Sequence, residues 1–321
     1  MSDQRLKVVF LDSDTLPSDI PFKPLPFAHD FVSYQRSAGA EVVERCRDAD
    51  IVITNKVRID QAVLDAAPKL KLISIAATGY DNIDLEACRK KGVAVCNVRN
   101  YAKHTVPEHV FALIFALRRS LLPYHQSIAK GRWQEANQFC YFDFPIRDLA
   151  GSTLAIVGAG SLGKSVADIG KALGLKVIFS ARKHQTDVPE GYVSFETMLQ
   201  QADIITLHCP LTPETRDLLA APEFAKMQQR PLIINTARGG LINEADLADA
   251  LNNGLISGAG IDVTSPEPPA ADNVLLSLMD KPNFIFTPHV GWASHEAIQA
   301  LVNQCSDNIA AFMAGEPRNL L

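Results

Sequence analysis

At about 150 residues per domain, the 321-residue chain is long enough for two domains. Hydrophobic residues make up 47% and charged residues 21%, a globular balance that excludes disordered, collagen-like and charge-run architectures. Lys+Arg 31 against Asp+Glu 36 leaves a formal charge of −5, which is poorly suited to a phosphate backbone, so no nucleic-acid partner is expected.

The first predicted strand is 6–11 (LKVVFL), followed by 49–54 and 71–76, with helical patterns between them. Continuous Val/Ile/Leu runs without strict alternation mark parallel strands buried on both faces, and strand–helix alternation marks βαβ units. A long helical stretch, 105–128, opens at Thr105 with Pro107 in its first turn, where proline is tolerated. Six further strands follow at 152–157, 176–180, 203–208, 232–236, 258–263 and 284–287, then a helix over 294–313. The tail is too short to build a domain and is expected to return to the first one. The expected fold is α/β: two doubly wound parallel-sheet domains, one flavodoxin-like and one dinucleotide-binding, with an active-site cleft between them. The first, substrate-binding domain spans 1–101 plus 290–321, and the dinucleotide-binding domain spans 102–289.

No run approaches the roughly 18 apolar residues of a membrane span, and the N-terminus lacks the basic, apolar and small-residue regions of a signal peptide. Cys46, Cys88, Cys96, Cys140, Cys209 and Cys305 are scattered with no C-x-x-C pair. That usage fits a reducing cytoplasm better than a disulfide framework or zinc site. No metal and no membrane partner are expected.

Gly158, Gly160 and Gly163 form G-x-G-x-x-G between an apolar strand and a helix. In that context the glycines permit a tight turn, close approach of a pyrophosphate and close helix–strand packing. Ser161 and Leu162 then stand at a helix N-terminus that offers N–H groups to phosphate. After the second strand, Ser180-Ala181-Arg182-Lys183 lacks the acid that would hold a ribose 2′-hydroxyl. Ser180, Arg182 and Lys183 instead suit a 2′-phosphate, so NADP is expected to be preferred, with NAD as the alternative. Arg238, Glu267 and His289 each follow a predicted strand end, where open α/β sheets place their sites. A His titrating near neutrality can protonate a reduced ketone oxygen, a carboxylate can orient it, and a guanidinium can grip an α-keto acid.

These motifs, together with AATGYDNIDL (76–85), HCPLTPETRDLL (208–219), INTARGGLINEADL (234–247), GAGIDVTSPEP (258–268) and TPHVGWAS (287–294), resemble the D-2-hydroxyacid dehydrogenase family in its glycerate dehydrogenase/hydroxypyruvate reductase branch. The resemblance implies that Arg238 orients substrate, that His289 is the acid/base with Glu267 beside it, and that Asp262 takes the nicotinamide carboxamide. It implies substrate contacts at Thr78, Gly79 and Trp292. It implies cofactor contacts at Thr105, Cys209, Pro210, Thr215, Thr236, Ala237 and Gly291, and at Arg238 and His289 as well. It also implies a homodimer in which residues around 105–145 take part. The expected reaction is hydride transfer between NAD(P)H and a small 2-keto or D-2-hydroxy acid, hydroxypyruvate or glyoxylate first. The rival readings are a non-catalytic dinucleotide-sensing regulator on the same scaffold and a formate- or phosphite-type dehydrogenase. The formate branch carries glutamine where Glu267 stands. Three local features carry no chemistry: Arg118-Arg119 and Lys130-Gly131-Arg132 read as solvated charge or a subunit contact, and His109 as helix packing or a polar contact.

Overall fold

A computed structural model describes residues 5–321, and the chain divides into two compact units, 1–102 with 293–321, and 103–292. In the first, β1 (Leu6–Phe10), β2 (His29–Ser33), β3 (Ile51–Thr54), β4 (Leu72–Ile75) and β5 (Ala94–Cys96) are joined through α1 (Ala40–Cys46), α2 (Gln61–Ala66) and α3 (Leu85–Lys91). The sheet is wholly parallel in the order β2-β1-β3-β4-β5, the flavodoxin-like winding. Every residue of β3 and β4 is buried, as a strand covered on both faces requires.

In the second unit α4 (Thr105–Arg118), α5 (Leu121–Ala129) and α6 (Arg132–Ala136) precede β6 (Thr153–Val157), α7 (Ser161–Ala172) and β7 (Lys176–Ser180). There follow β8 (Tyr192–Val193), α8 (Phe195–Gln201), β9 (Ile204–Leu207), α9 (Ala221–Phe224), β10 (Leu232–Asn235), α10 (Glu244–Asn252), β11 (Gly258–Ile261) and β12 (Phe284–Phe286). The seven parallel strands run β12-β11-β10-β9-β6-β7-β8. Winding reverses between β6 and β9, the switch point at which such sheets bind dinucleotides. The last helix, α11 (His295–Met313), packs on β4 of the first unit, as its buried Ile298, Leu301, Val302, Cys305 and Ile309 demand.

All nine predicted strands are present. Three more were not predicted: β2, β5 and β8, which are short edge strands. The expected single helix over 105–128 is broken. Ser120 adopts a left-handed conformation (φ 50°) and donates its hydroxyl to the Pro145 carbonyl at 2.6 Å. Arg118 is buried, not solvated. Its guanidinium donates to Ser152 Oγ at 3.2 Å, and desolvation lowers its pKa against the opposing charge of Asp203. The aromatic run after α6 divides: Tyr141 and Phe144 pack edge-on against Tyr124, whereas Phe139 and Phe142 are 89% and 85% exposed. Among the described residues no helix is long and apolar enough to cross a membrane.

Candidate active site

The glycine loop leaves the C-terminal end of β6 and opens α7. Gly158 (φ 107°) lies against the peptide of His208 and Cys209 at the end of β9; a Cβ there would stand 2.6 Å from the His208 carbonyl oxygen. A Cβ on Gly163 would stand 2.0 Å from the Gly158 carbonyl oxygen, so strand, turn and helix pack without room for a side chain. Gly160 is the opposite case, with open space where its Cβ would be. The first intrahelical bond of α7 runs from Lys164 N–H to Gly160 O at 3.0 Å, so the N–H groups of Ser161, Leu162 and Gly163 precede it. An open glycine face before a helix N-terminus that lacks a side-chain cap fits a pyrophosphate. Burial pushes His208 down to about 4, which keeps this ring neutral at neutral pH beside the loop; it contacts Thr206 Oγ1 at 2.9 Å. Burial pushes the Cys209 thiol up to about 11, so the residue is a neutral wall. Pro210 is exposed, and its carbonyl accepts the Thr215 hydroxyl at 2.7 Å. Thr215 thus closes its own turn.

The end of β7 and the loop after it place Ser180, Arg182 and Lys183 in three different environments. Ser180 is buried, with its hydroxyl donated to the Ala181 carbonyl at 2.9 Å. Lys183 turns inward, pairs with buried Glu223 at 3.0 Å and approaches the Leu218 carbonyl at 3.5 Å. A buried carboxylate needs a partner, and it takes this lysine. Of Ser180, Arg182 and Lys183, Arg182 is the one that is exposed.

His289 sits on the turn after β12. His289 Nδ1 is 2.7 Å from Glu267 Oε2; with Nδ1 donating, Nε2 is left as the exchangeable ring position. His289 has φ 55°, a conformation that costs a non-glycine residue about 1 kcal/mol or more. The surroundings impose it: His289 N–H donates to Thr287 O at 3.0 Å, and the Trp292 indole N–H donates to His289 O at 2.9 Å. The role seen here for Trp292 is to hold the histidine backbone.

Asp262 anchors the same turn. It is 1% exposed. Oδ1 accepts from Thr287 Oγ1 at 2.5 Å and Val290 N–H at 2.9 Å, and Oδ2 accepts from Gly291 N–H at 2.9 Å. His109 Nε2 lies 3.5 Å from Oδ1 and 3.1 Å from Thr287 Oγ1. Burial alone would raise this carboxyl, but the His109, Thr287, Gly291 and Val290 hydrogen bonds outweigh it and hold the group below the ordinary carboxylate range. Through these bonds Asp262 sets the position of the His289 turn, while Oδ2, which accepts only from Gly291 N–H, keeps a lone pair. Thr105 joins the same support, its hydroxyl 3.4 Å from the Gly291 carbonyl.

Arg238 lies on the loop after β10. Buried Asn235 braces this loop at both ends: Nδ2 donates to Arg238 O at 2.9 Å, and Oδ1 accepts Ala237 N–H at 3.0 Å. The Arg238 guanidinium donates to Ala237 O at 2.8 Å. Thr236 Oγ1 is buried without a hydrogen-bond partner among the described residues, a vacancy that suits a polar ligand atom. Gly239 admits no Cβ, since that atom would stand 2.0 Å from the Thr264 carbonyl oxygen. The arginine loop and the glutamate loop therefore abut, backbone on backbone. In the first unit, the Thr78 hydroxyl donates to Val98 O at 2.7 Å, and Asn97 Nδ2 donates to Thr78 O at 2.7 Å, which fixes the turn carrying Gly79. Asn97 and Asn235 escaped sequence reasoning. Each follows or ends a buried strand, where an Asn needs hydrogen-bond partners, and that was the available signal.

A dinucleotide-type glycine loop at the switch point of a parallel sheet, with an imidazole–carboxylate pair and a guanidinium beyond neighbouring strands of the same sheet, defines a nicotinamide-dependent oxidoreductase site. The family model described as "D-isomer specific 2-hydroxyacid dehydrogenase, NAD binding domain" matches residues 111–291. The chain is 48% identical to a glycerate dehydrogenase of Methylorubrum extorquens over 98% of both chains. It is 35% identical to a hydroxypyruvate reductase of Blautia hydrogenotrophica over 98% of this chain and 99% of that one. Among solved structures, an acyclic imino acid reductase in complex with NADPH and D-Arg superimposes with a TM-score of 0.83 at 27% identity, covering 98% of this chain and all of that one. The chain belongs to the D-isomer specific 2-hydroxyacid dehydrogenase family and is an oxidoreductase that uses a nicotinamide dinucleotide.

Proposed function

We propose that the protein reduces hydroxypyruvate and glyoxylate to the corresponding 2-hydroxy acids, with NADPH preferred to NADH. The observation that carries the reading is the 2.7 Å contact between His289 Nδ1 and Glu267 Oε2 on a turn that five hydrogen bonds hold in place. A nicotinamide dinucleotide, when bound, would supply the hydride that reduces the keto carbon. Arg238 holds the substrate carboxylate and polarises its carbonyl. As negative charge builds on the oxygen, the His289 imidazolium gives up its Nε2 proton, and Glu267 keeps the ring oriented through Nδ1. Backbone N–H groups of Thr78 and Gly79 receive the substrate carboxylate. Gly158, Gly160, Ser161, Leu162 and Gly163 would hold the pyrophosphate, Cys209 and Pro210 would stand beside the adenosine, and Thr236 and Ala237 would also contact the cofactor.

The NADPH preference rests on Arg182, with Ala181 standing where a 2′-hydroxyl-binding acid would be needed. The names of the glycerate and hydroxypyruvate relatives support the substrate class, and the NADPH complex of the structural neighbour supports the cofactor. A homodimer in the cytoplasm completes the reading, supported by the exposed side chains of Leu121, Leu122, Trp133, Phe139 and Phe142 on one continuous segment. The test is kcat/KM for hydroxypyruvate, glyoxylate and pyruvate with each cofactor. The reading expects hydroxypyruvate or glyoxylate to lead with NADPH; absence of turnover for all three at every pH would instead favour a dinucleotide-sensing regulator.

A further inference from the structure

Glu244 stands at the first turn of α10, outside every group of residues given a role above. Its carboxylate is nonetheless saturated with donors. Oε1 accepts from the Thr264 hydroxyl at 2.7 Å and the Ser265 N–H at 3.0 Å, and Oε2 accepts from Asn273 Nδ2 at 2.8 Å. Asn273 also reaches Thr264 Oγ1 at 3.3 Å. The far side of the same segment faces the acid/base pair: Thr264 N–H donates to Glu267 Oε1 at 3.2 Å, and Glu267 Oε2 meets His289 Nδ1 at 2.7 Å. Thr264 is buried, and its carbonyl oxygen is pressed against Gly239. The 264–267 segment therefore has little freedom to slide while Glu244 is in place.

We propose that Glu244 is a positioning residue for the reaction. It fixes the loop that presents Glu267 to His289, so that a carboxylate on α10 governs the geometry of proton delivery without touching substrate or cofactor. The inference rests on the acid/base reading of His289 and Glu267. An ionised carboxylate suits the task because it offers only acceptors, and all three of its partners are donors. A methyl group in its place leaves a hydroxyl, an amide N–H and a side-chain amide facing nothing, and the loop moves to find water.

The test follows NADPH oxidation with hydroxypyruvate in Glu244→Ala, Glu267→Gln and the double variant, with thermal unfolding and NADPH fluorescence recorded for each. Glu244→Ala is expected to lower kcat about 10-fold, a part of what general acid catalysis supplies, with KM within about twofold and NADPH binding unchanged. Added to Glu267→Gln it causes no further loss, because it acts only through that carboxylate. Glu244→Gln, which keeps one acceptor for Thr264 and Ser265, returns to within about threefold of the parent enzyme.

Wild-type kcat in Glu244→Ala, losses that multiply in the double variant, or no recovery in Glu244→Gln would each overturn the proposal while leaving the reading of His289 intact. Undiminished turnover in Glu267→Gln would overturn both. Should Glu244→Ala not fold, Thr264→Val removes one of the three donors at constant shape and enters the same double comparison with the same expectations.

Discussion

Replacing Asp262 by Asn tests the anchoring of the histidine turn most directly. The carboxylate accepts from Thr287, Val290 and Gly291 at 2.5–2.9 Å in a site 1% exposed. An asparagine keeps one acceptor oxygen. It can serve Thr287 and Val290, but it then turns an NH2 group toward the Gly291 N–H, or the reverse. A hydrogen bond to a buried charged group is worth about 1.5–3 kcal/mol, so losing one and opposing two donors costs about 2–4 kcal/mol. For a unit of this size that lowers Tm by roughly 5–15 °C.

The pH dependence has a fixed sign. The Asp262 carboxyl is held below its ordinary value of 3.8. The stability it contributes is therefore fully present above 3.8 and is lost as the pH falls through the lower folded value. The gap between Asp262→Asn and the parent protein should be constant from neutrality down to about pH 5 and shrink below pH 4. Calorimetry across that range reads the gap, and an NADPH-coupled assay reads the accompanying fall in kcat as His289 loses its backbone support. A variant with Tm within about 1 °C of the parent and unaltered kcat would refute the anchoring role.

Other outcomes can be checked in the same assays. His289→Gln should lower kcat for reduction by about 10²–10⁴ with NADPH binding retained, read by single-turnover kinetics. Gly160→Ala should fold with an unchanged Tm yet bind dinucleotide weakly, because its Cβ enters open space where the pyrophosphate is proposed to lie. Gly163→Ala should be markedly unstable, because its Cβ meets the Gly158 carbonyl; thermal melts and titration with NADPH separate the two. Arg182→Ala should cut the NADPH-over-NADH ratio of kcat/KM about tenfold, whereas Lys183→Ala should cost stability through the Glu223 it leaves buried. Phe139→Glu with Phe142→Glu should give a monomer by sedimentation if that face joins two copies.

The parallel sheets were legible because βαβ strands covered on both faces become unbroken runs such as Ile51–Thr54 and Leu232–Asn235, all buried. The edge strands were not. His29–Ser33 is largely exposed and mixed in polarity, and Tyr192–Val193 is two residues long, too short for any periodicity. The break at Ser120 escaped because it depends on a carbonyl from Pro145, 25 residues on. At the site, residue types at strand ends marked His289, Glu267 and Arg238. What sequence could not assign was direction: which cation faces outward and which is claimed by a buried partner. The charge of Lys183 is visible in the sequence, while Glu223, which pairs with it, lies 40 positions away; Val290 and Gly291, whose bonds hold Asp262, lie about 30 positions on.

The abutment at Gly239 ties the loop that carries Arg238 to the loop that carries Glu267. A loop that carries the guanidinium and a loop that carries the carboxylate share one backbone face, with no side chain between them to absorb a shift. Redesign aimed at a larger acid would ordinarily begin by moving Arg238, but here the displacement passes at once to Thr264 and on to Glu267. On the roles proposed for Arg238 and Glu267, specificity and turnover are mechanically geared, so a graft that broadens the pocket must carry both loops together.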